Sequence, residues 1–563
     1  VFGNETRRVV TVDAGTKLTT ITTSRVGSTL TQVQKILNGS AISEKSYEGL
    51  TSSISYDTLG RKAVTADPRS RSTTTTYHLN STLPKEVLDP AGKRLVWNEY
   101  DSMGRVVLSK DAYNHTTRTA YTARGEVAQS WGSATYPVSY DYNEYGERTK
   151  LRTYRSDGLA ENQDSTTFPA TAGADETTWV YDAASGLLQR KYDAKVRFVE
   201  YTYNAAGMLA QRLWARTIAS GARVTTTYSY DGQTGEQLAV TYNDGTPALS
   251  FIYNRLGQTT TIVQSDAVLT LQTILDHCVC GKLTAEYFDG TFFGARNLSH
   301  LLNPAADGFT GRTTGYSLTV GSTAEQTTSY GYQPSTGRLN SIATTSYQVS
   351  AASRTFTYSY RENSDLISSL TANTSPSFSV NRSFETNRDL VSAIDSTWGS
   401  TTKTRYDYTY DDRRQRANVV QSGTVFADYG GPSSGSIHVN FSYNGRGELR
   451  QAASWLGNLA AGEPAENYLS ARNFQYEYDD IGNRKTSNTS GVDGTRDNYS
   501  VNELNQYVGR EHNTLPVGGV VANDPAINVV VGADAITAAG RHGRHWGDNI
   551  LLSNLNGPYL GSI

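Results

Sequence analysis

The sequence predicts an all-β protein built as a repeat array of antiparallel β-hairpins. Three observations predict this class: a short phrase based on tyrosine recurs along the chain, β-branched and aromatic segments flank its copies, and only 37% of the 563 residues are hydrophobic. Self-similarity at a near-constant period indicates stacked supersecondary units. Because one hairpin alone is only marginally stable, neighbouring hairpins are expected to pair into one long antiparallel sheet.

The recurring phrase begins with an aromatic residue and Asp or Asn, continues through two or three variable residues, and ends with Gly and then a polar residue. A complete copy is Tyr56-Asp57-Thr58-Leu59-Gly60-Arg61. A spacing of 21 or 23 residues separates the tyrosines of the early units, Tyr56, Tyr77, Tyr100, Tyr121 and Tyr142. The motif residues, to which we assign a structural role, are Tyr56, Asp57, Gly60, Arg61, Tyr100, Asp101, Gly104, Arg105, Tyr142, Gly146, Tyr203, Gly207, Tyr253, Gly257, Tyr443, Gly447, Tyr478, Asp479 and Gly482.

Each unit is predicted to be a strand, a tight turn and a returning strand. Residues 197–203 are rich in β-branched and aromatic side chains, which favour strands. Asp or Asn after the tyrosine bonds its own backbone in turns, and Gly accepts a positive φ angle. Residues 105–109 then resume a strand, so the unit is most simply a hairpin. Since long sheets twist strongly, the array is expected to curl on itself.

The spacing of the repeat divides the chain into five segments. Residues 1–54 are expected to form an N-terminal β segment that continues from missing sequence, and 55–269 to hold repeats. An irregular insert is expected at 270–330, with room for a short helix near 298–306. Repeats resume at 331–507, and 508–563 reads as a truncated C-terminal β segment.

The Tyr-Asp-x-x-Gly-Arg phrases resemble those of the RHS or YD-repeat family, as do the segments 311–318 and 502–507. The resemblance covers roughly residues 55–507. It implies a spiralling β-sheet that closes into a hollow shell, or cocoon, related to the shells of teneurins and the cocoons of Tc toxins. Such shells commonly enclose a C-terminal toxin or effector, whereas animal teneurins use theirs for adhesion.

The resemblance also raises the question of self-cleavage, because family members that release a toxin usually end the shell with an Asp-Pro-rich cleavage segment. We find no such segment at the C-terminus. Asp89-Pro90-Ala91-Gly92 matches a fragment of it but lies early in the chain. Turn chemistry explains that fragment more simply.

Composition argues against several classes of protein. The net charge is −3 and the pI about 6.3, without a basic tract, which argues against nucleic-acid binding. No apolar run is long enough for a transmembrane helix. Two cysteines exclude a disulfide framework, and abundant Ser, Thr, Gly, Asn and Tyr suit a secreted or cell-surface bacterial protein.

The candidate metal and catalytic clusters are weak. Cys278 and Cys280 stand beside His277, but a structural zinc site needs about four ligands. We favour two buried thiols there, with a redox disulfide and a metal site as the alternatives. His542 and His545 are expected in a polar loop, because neighbouring glycines disfavour a helix.

The paired carboxylates are attributed to the repeat turn. Asp411-Asp412 and Asp479-Asp480 lie inside copies of the phrase, and adjacent Asp residues in a turn generally point apart. Glycosidic cleavage instead needs two carboxylates across a cleft. We therefore expect no catalytic residue, no bound metal and no cofactor.

Four aromatic residues in the insert are the better binding candidates, although packing within the sheet would explain them too. These weak candidates are Tyr287, Phe288, Phe292 and Phe293. Their rings would suit stacking on sugars or on a partner's apolar surface.

The expected function is that of a non-enzymatic structural shell in a secreted or surface protein. Its expected partner is its own C-terminal effector or another cargo held inside the shell. The first alternative is a cell-surface adhesion module that binds glycans or a protein partner. The second is an enzyme acting on polysaccharides, with its site in the insert or in missing sequence.

Overall fold

The computed structural model describes most of the chain. The described residues are 6–26, 28–155, 163–169, 173–266, 270–278, 281–289, 295–302, 312–347, 352–429, 435–459, 462–464, 467–469, 472–488, 497–511, 514–521, 528–531, 534–537, 541–542 and 545–551.

These residues form 45 β-strands and one 3₁₀ helix, Thr424–Phe426. The strands are β1 (Thr6–Asp13), β2 (Leu18–Arg25), β3 (Thr31–Leu37), β4 (Ser40–Lys45), β5 (Thr51–Tyr56), β6 (Lys62–Ala66), β7 (Ser72–Tyr77), β8 (Pro84–Leu88), β9 (Arg94–Tyr100), β10 (Val106–Lys110), β11 (Thr116–Tyr121), β12 (Val127–Gly132), β13 (Thr135–Tyr142), β14 (Arg148–Tyr154), β15 (Ala174–Tyr181), β16 (Leu188–Tyr192), β17 (Phe198–Tyr203), β18 (Leu209–Thr217), β19 (Arg223–Tyr230), β20 (Gln237–Tyr242), β21 (Ala248–Tyr253), β22 (Thr259–Ser265), β23 (Thr270–His277), β24 (Leu283–Asp289), β25 (Arg296–Leu302), β26 (Thr313–Val320), β27 (Thr323–Tyr332), β28 (Leu339–Ser346), β29 (Ala352–Tyr360), β30 (Ile367–Ala372), β31 (Phe378–Phe384), β32 (Val391–Trp398), β33 (Thr401–Tyr410), β34 (Arg416–Ser422), β35 (Ile437–Tyr443), β36 (Leu449–Leu456), β37 (Phe474–Tyr478), β38 (Arg484–Asn488), β39 (Asp497–Val501), β40 (Tyr507–Glu511), β41 (Thr514–Val520), β42 (Asn528–Val531), β43 (Asp534–Thr537), β44 (Arg541–His542) and β45 (His545–Leu551).

One antiparallel sheet of 40 strands, β1 to β40, contains most of these elements, which confirms the predicted all-β repeat array. Two small sheets follow, one of β41, β45 and β44 and one of β42 and β43. The chain divides into two compact units that are discontinuous in sequence. The first comprises Val1–Ser72, Trp179–Tyr192 and Val196–Ser375, and the second comprises Thr73–Thr178, Asp193–Lys195 and Pro376–Ile563.

The first unit shows the hairpin pattern in its simplest form. Strand β1 pairs with β2 from Thr6↔Arg25 to Asp13↔Leu18, and β2 pairs in turn with β3. In β5, the register with β6 shifts between Ser55 and Tyr56, so that Tyr56 lies opposite Lys62. This β-bulge recurs directly before other repeat tyrosines and bends the strand into its turn.

The expected irregular insert at 270–330 is instead mostly strand. Its described residues form β23 to β26 and the beginning of β27, and each of these strands pairs with the next. Strand β25 occupies Arg296–Leu302, so residues 298–302 of the expected short helix are strand, and residues 303–306 lie outside the described residues. The correction has a physical reason: a helix there would leave the backbone edges of β24 and β26 without partners.

The second unit contains a cluster of buried apolar residues. Buried residues of β34, β35 and β36 pack with the 3₁₀ helix and with Leu469 in one cluster. Its buried members are Val419, Phe426, Ile437, Val439, Ala452, Leu456 and Leu469.

Most strand residues that the structure describes are partly exposed rather than buried. In β2 all eight residues are partly exposed, and in β7 no residue is fully buried. Such strands keep at least part of both faces accessible, in line with the low hydrophobic content.

Candidate functional site

The repeat turn is a closed set of hydrogen bonds around one carboxylate. In the first copy, Asp57 Oδ1 accepts the backbone N–H groups of Leu59 and Arg61, both at 2.9 Å. The Arg61 Nε donates to Asp57 Oδ2 at 2.7 Å. The bond from the Arg61 backbone lowers the pKa of Asp57 most, even though some burial opposes it. Gly60 completes the turn with φ 76°, a region in which a side chain is strained.

Copies with Asn keep the same geometry but change the partner four residues later. Asn143 Oδ1 accepts two backbone N–H groups at 3.0 Å, and its Nδ2 donates to Glu147 Oε2 at 2.6 Å. Asn444 and Glu448 repeat this pair. An Asp carboxylate only accepts, so it takes Arg, whereas an Asn amide can donate to Glu or Gln. The turn therefore closes with more than one side-chain pair, and Asp479 with Asn483, at 2.9 Å, is a further example.

The repeat tyrosine also makes a hydrogen bond that the sequence pattern does not indicate. Its hydroxyl donates to a backbone carbonyl at the start of the preceding strand. The β12–β13 ladder, for example, extends only to Gln129↔Ser139 at this end, and Tyr142 reaches past it to the carbonyl of Val127 at 2.9 Å. Burial raises the pKa of Tyr443 and Tyr478, which keeps these hydroxyls as donors.

This bond, which we call the tyrosine bridge, recurs in both units at distances from 2.6 to 2.9 Å. The bridges join Tyr56 to Ala41, Tyr100 to Pro84, Tyr121 to Val106, Tyr142 to Val127, Tyr203 to Leu188, Tyr230 to Leu209, Tyr253 to Gln237, Tyr332 to Thr313, Tyr360 to Leu339, Tyr410 to Val391, Tyr443 to Arg416 and Tyr478 to Leu449.

The arginine that ends a turn connects it to the following hairpin. The Arg105 guanidinium lies 4.5 Å from the centre of the Tyr121 ring. Arg338 lies over Tyr360 in the same way, at 4.9 Å. Such cation–π contacts add a modest attraction between neighbouring units. A repeat that has both groups is thus connected to the preceding strand by its tyrosine bridge and to the following hairpin by its arginine.

A row of contacts in the second unit joins turns that are about 300 residues apart in sequence. We call it the turn seam: it links turns within residues 89–195, and Tyr136 at the beginning of β13, to turns within 411–505. Its hydrogen bonds span separations from 299 to 350 residues. Its chemistry differs from that of the tyrosine bridges, because charged side chains make most of the contacts.

Asp89 is the most buried charge in the seam. Its side chain has 0% exposure and accepts the backbone N–H groups of Ala91 and Lys93, both at 2.9 Å. Arg414 then reaches its Oδ2 at 3.2 Å. The segment from Asp89 is therefore a turn, as predicted, and it is also a docking point for a distant turn.

The neighbouring seam contacts use the Asp411-Asp412 copy of the phrase. Lys93 and Asp412 form an ion pair at 3.0 Å, and the Asp412 backbone N–H donates to the Tyr113 hydroxyl at 3.1 Å. Arg413 lies over the Tyr113 ring at 5.4 Å and 3.4 Å from Asp111. These contacts hold the carboxylates in turn and seam bonds, which is not the geometry of a hydrolytic pair.

Further along, the seam is centred on Tyr136. Its hydroxyl donates to Glu448, and the Arg446 guanidinium lies 4.6 Å from the ring centre. Burial raises the pKa of Tyr136, and the bond to Glu448 raises it further. A Cβ on Gly482 would lie 2.9 Å from the same hydroxyl, so this contact needs glycine.

The last seam contacts involve Arg155 and Lys195. Arg155 donates to the Asn502 carbonyl at 2.6 Å and to Asn505 Oδ1 at 3.0 Å. It also lies 3.7 Å from Asp479. Lys195 pairs with Glu503 at 3.2 Å.

The other sequence candidates are not gathered into a reactive site in the described part of the chain. Cys278 is half-buried and disulfide-bonded, so the favoured reading of two buried thiols is wrong. Cys280 lies outside the described residues. His542 and His545 lie opposite each other in β44 and β45 rather than in a loop. Among the described residues, no three His, Cys, Asp or Glu side chains are close enough to hold a metal ion.

Two of the four aromatic candidates can be placed. Tyr287 and Phe288 lie in β24 with 36% and 40% exposure. The charge of Asp276 raises the pKa of Tyr287. Phe292 and Phe293 lie outside the described residues. Within the ranges that the structure describes, no helix has the length and apolar content to cross a membrane.

Comparison with known proteins yields matches only among solved structures, since neither a family model nor a curated sequence matches. A chain of the Photorhabdus luminescens Tc holotoxin pore is similar at 12% identity and a TM-score of 0.44, over 88% of this chain and 30% of that chain. The crystal structure of TcdB2-TccC3 is matched at 13% identity and a TM-score of 0.32, over 89% of this chain and 30% of that chain.

A porin-like protein from Bacteroides uniformis is matched at 11% identity and a TM-score of 0.18, over 43% of this chain and 90% of that chain. The fold is defined by the strand pairing described above. This chain spans 30% of the length of the Tc toxin chains that it matches.

Proposed function

We propose that this chain is a non-enzymatic part of the wall of a hollow shell that encloses a polypeptide cargo. The cargo is an effector from the same protein or another chain. The proposed setting is a secreted or surface protein of a bacterium, which agrees with the composition and with the RHS resemblance of the repeat turn.

The turn seam carries this proposal. In a simple hairpin array, each unit needs to touch only its neighbours. Here the Asp89 turn bonds to Arg414, and the Arg155 region bonds to Asn502. Contacts between turns about 300 residues apart are what a long sheet requires if successive passes of it lie side by side in a continuous wall.

The surface chemistry supports the same role. Many strands carry Thr, Ser and Tyr on partly exposed faces. A wall with a polar inner face can hold a folded or unfolded polypeptide without trapping it by apolar adhesion. The repeat residues are engaged in turns and bridges, which favours a structural role for them over a catalytic one.

The test is mass spectrometry of the protein purified from its natural source, first under native and then under denaturing conditions. We expect a second polypeptide that is released only on denaturation and that resists added protease before it. Arg155→Ala should weaken the seam and make that polypeptide sensitive to protease. Arg216→Ala is the matched control, because Arg216 is 66% exposed and pairs with Asp244 away from the seam. A preparation that contains neither a second polypeptide nor a further segment of the same protein protected from protease would refute the proposal.

A second candidate function is supported by the exposed aromatic pair of β24. Tyr287 and Phe288 point to opposite faces of the strand, and both remain more than a third exposed. We propose that they contact a surface partner if the protein acts as an adhesion module. Cell-binding assays test this role: Phe288→Ser should reduce attachment, whereas the exposed Leu256→Ser, in a repeat turn, should not.

A further inference from the structure

The strands β34 to β38 carry an unusual polar face. Residues directly opposite each other in adjacent strands share a face, and so do residues two apart in one strand. The register therefore places five carboxamides and one serine on the same face. They are Asn418, Asn440, Ser442, Gln451, Gln475 and Asn488, connected by the pairs Asn418↔Asn440, Ser442↔Gln451, Gln451↔Gln475 and Gln475↔Asn488.

A cavity opens where this polar face crosses from β36 to β37. These two strands pair at only two positions, Gln451↔Gln475 and Ala452↔Phe474. The cavity has a volume of about 380 Å³, and its lining includes Gln451, Gln475 and Asn488. That volume lies within the range of small-molecule sites in proteins.

The lining has no net charge. It contains one cation, Arg450, and one carboxylate, Glu477, whose Oε2 accepts a bond from Thr486 at 3.1 Å. A strongly anionic or cationic ligand would gain little from such a balanced lining. An apolar ligand is disfavoured as well, because it would leave buried amide groups without partners.

A fully buried amide supports one wall of the cavity. Asn473, two residues before Gln475, has 0% exposure, and its Oδ1 accepts a weak bond from Gln451 Nε2 at 3.4 Å. Its side chain also bonds to the Tyr468 hydroxyl. Asn473 therefore helps to hold the Gln451 carboxamide in place at the edge of the cavity.

The geometry points to a ligand dense in neutral groups that both donate and accept. Carboxamides do both, and so do hydroxyls. Neighbouring strands place the carboxamides about 4.8 Å apart. The bonding groups on one side of an extended peptide recur about every 6.8 Å, so a peptide would not match the row. We propose that this cavity, the carboxamide cavity, binds a neutral saccharide.

The experiment uses the full chain and three neutral probes: maltotriose, cellotriose and triacetylchitotriose. Saturation-transfer NMR detects binding, and calorimetry gives the Kd. We expect at least one probe to bind, while trialanine and inorganic phosphate do not. Gln475→Glu keeps the shape but removes an amide donor, and it should weaken binding about tenfold, as the loss of one buried bond would.

The matched control is Gln264→Glu, because Gln264 is an exposed carboxamide in β22. It should leave the Kd unchanged. If Gln475→Glu does not fold, as judged by circular dichroism, then Gln451→Glu serves in its place. The proposal is overturned if no neutral probe binds, if trialanine or phosphate binds instead, or if binding survives the cavity substitutions. None of these outcomes depends on whether the protein encloses a cargo.

Discussion

The tyrosine bridge makes a quantitative prediction at Tyr142. Tyr142→Phe removes only the hydroxyl that donates to the Val127 carbonyl at 2.9 Å. A partly buried hydrogen bond contributes about 1 kcal/mol net. The end of the β12–β13 ladder should therefore open about fivefold more often, because a change of 1.36 kcal/mol corresponds to tenfold.

Hydrogen exchange with mass spectrometry is the suitable assay, since a chain of this length need not unfold in one step. Peptides that cover 127–142 should exchange about fivefold faster in the variant, and peptides from β1 and β2 should not change. The control is Tyr145→Phe, three residues away in the same turn, where the tyrosine is 77% exposed. Equal exchange in Tyr142→Phe and Tyr145→Phe would show that the bridge does not stabilise the sheet.

Three further predictions concern the seam and the turns. Asp89→Asn keeps the turn bonds but loses the buried ion pair, and it should lower the free energy of unfolding of the second unit by about 2 kcal/mol in urea titrations. Gly482→Ala should lower the free energy of unfolding by about 2–3 kcal/mol, because φ is 87° there and the new Cβ would lie 2.9 Å from the Tyr136 hydroxyl. Gly60→Ala should lower it by only about 1 kcal/mol, because no other atom lies near its Cβ position. Asp101 accepts hydrogen bonds from the backbone N–H of Arg105 and from its guanidinium, and these bonds hold the pKa of Asp101 below the ordinary 3.8. The ionised carboxylate therefore stabilises the folded state above pH 3.8. This stabilisation is lost as the pH falls through the lowered pKa of the folded state. Asp101→Asn should therefore flatten the loss of stability below pH 3.8 in denaturation curves.

Each of these has an outcome that would contradict it. An unchanged free energy of unfolding in Asp89→Asn would mean that the ion pair with Arg414 does not stabilise the second unit. Equal costs at Gly482 and Gly60 would mean that the Tyr136 contact adds no strain. A pH profile of Asp101→Asn identical to that of the natural protein would mean that this carboxylate keeps its ordinary pKa in the folded state.

The local fold could be predicted because its causes lie within a few residues of each other. Asp57 and Gly60 specify their own turn, and alternating side chains identify the strands on either side. The prediction of an irregular insert at 270–330 was wrong, because the strands continue where the spacing between repeat tyrosines has become irregular. There, pairing of the backbone extends the sheet although the motif residues are missing.

The seam could not be predicted, because its partners have no fixed spacing and no unusual chemistry. Asp89 and Arg414 each look like ordinary turn residues, and only the fold brings them within 3.2 Å. The carboxamide cavity was missed for a related reason. Gln451 and Gln475 face each other across strands that are separated by an irregular connection, so no sequence period connects them.

The Asp–Arg and Asn–Glu forms of the repeat turn have a consequence for how such chains diverge. Asp57 closes its turn with Arg61, four residues later, whereas Asn143 closes its turn with Glu147. A single exchange that places Asn beside Arg, or Asp beside Glu, leaves a mismatched pair, but a second exchange restores the same turn with a net charge of −1 in place of 0. Copies can therefore drift apart in letters and charge while their backbone stays the same. Two chains with little sequence in common can retain interchangeable turns, and the pairing rule is then a better marker of kinship than any single residue.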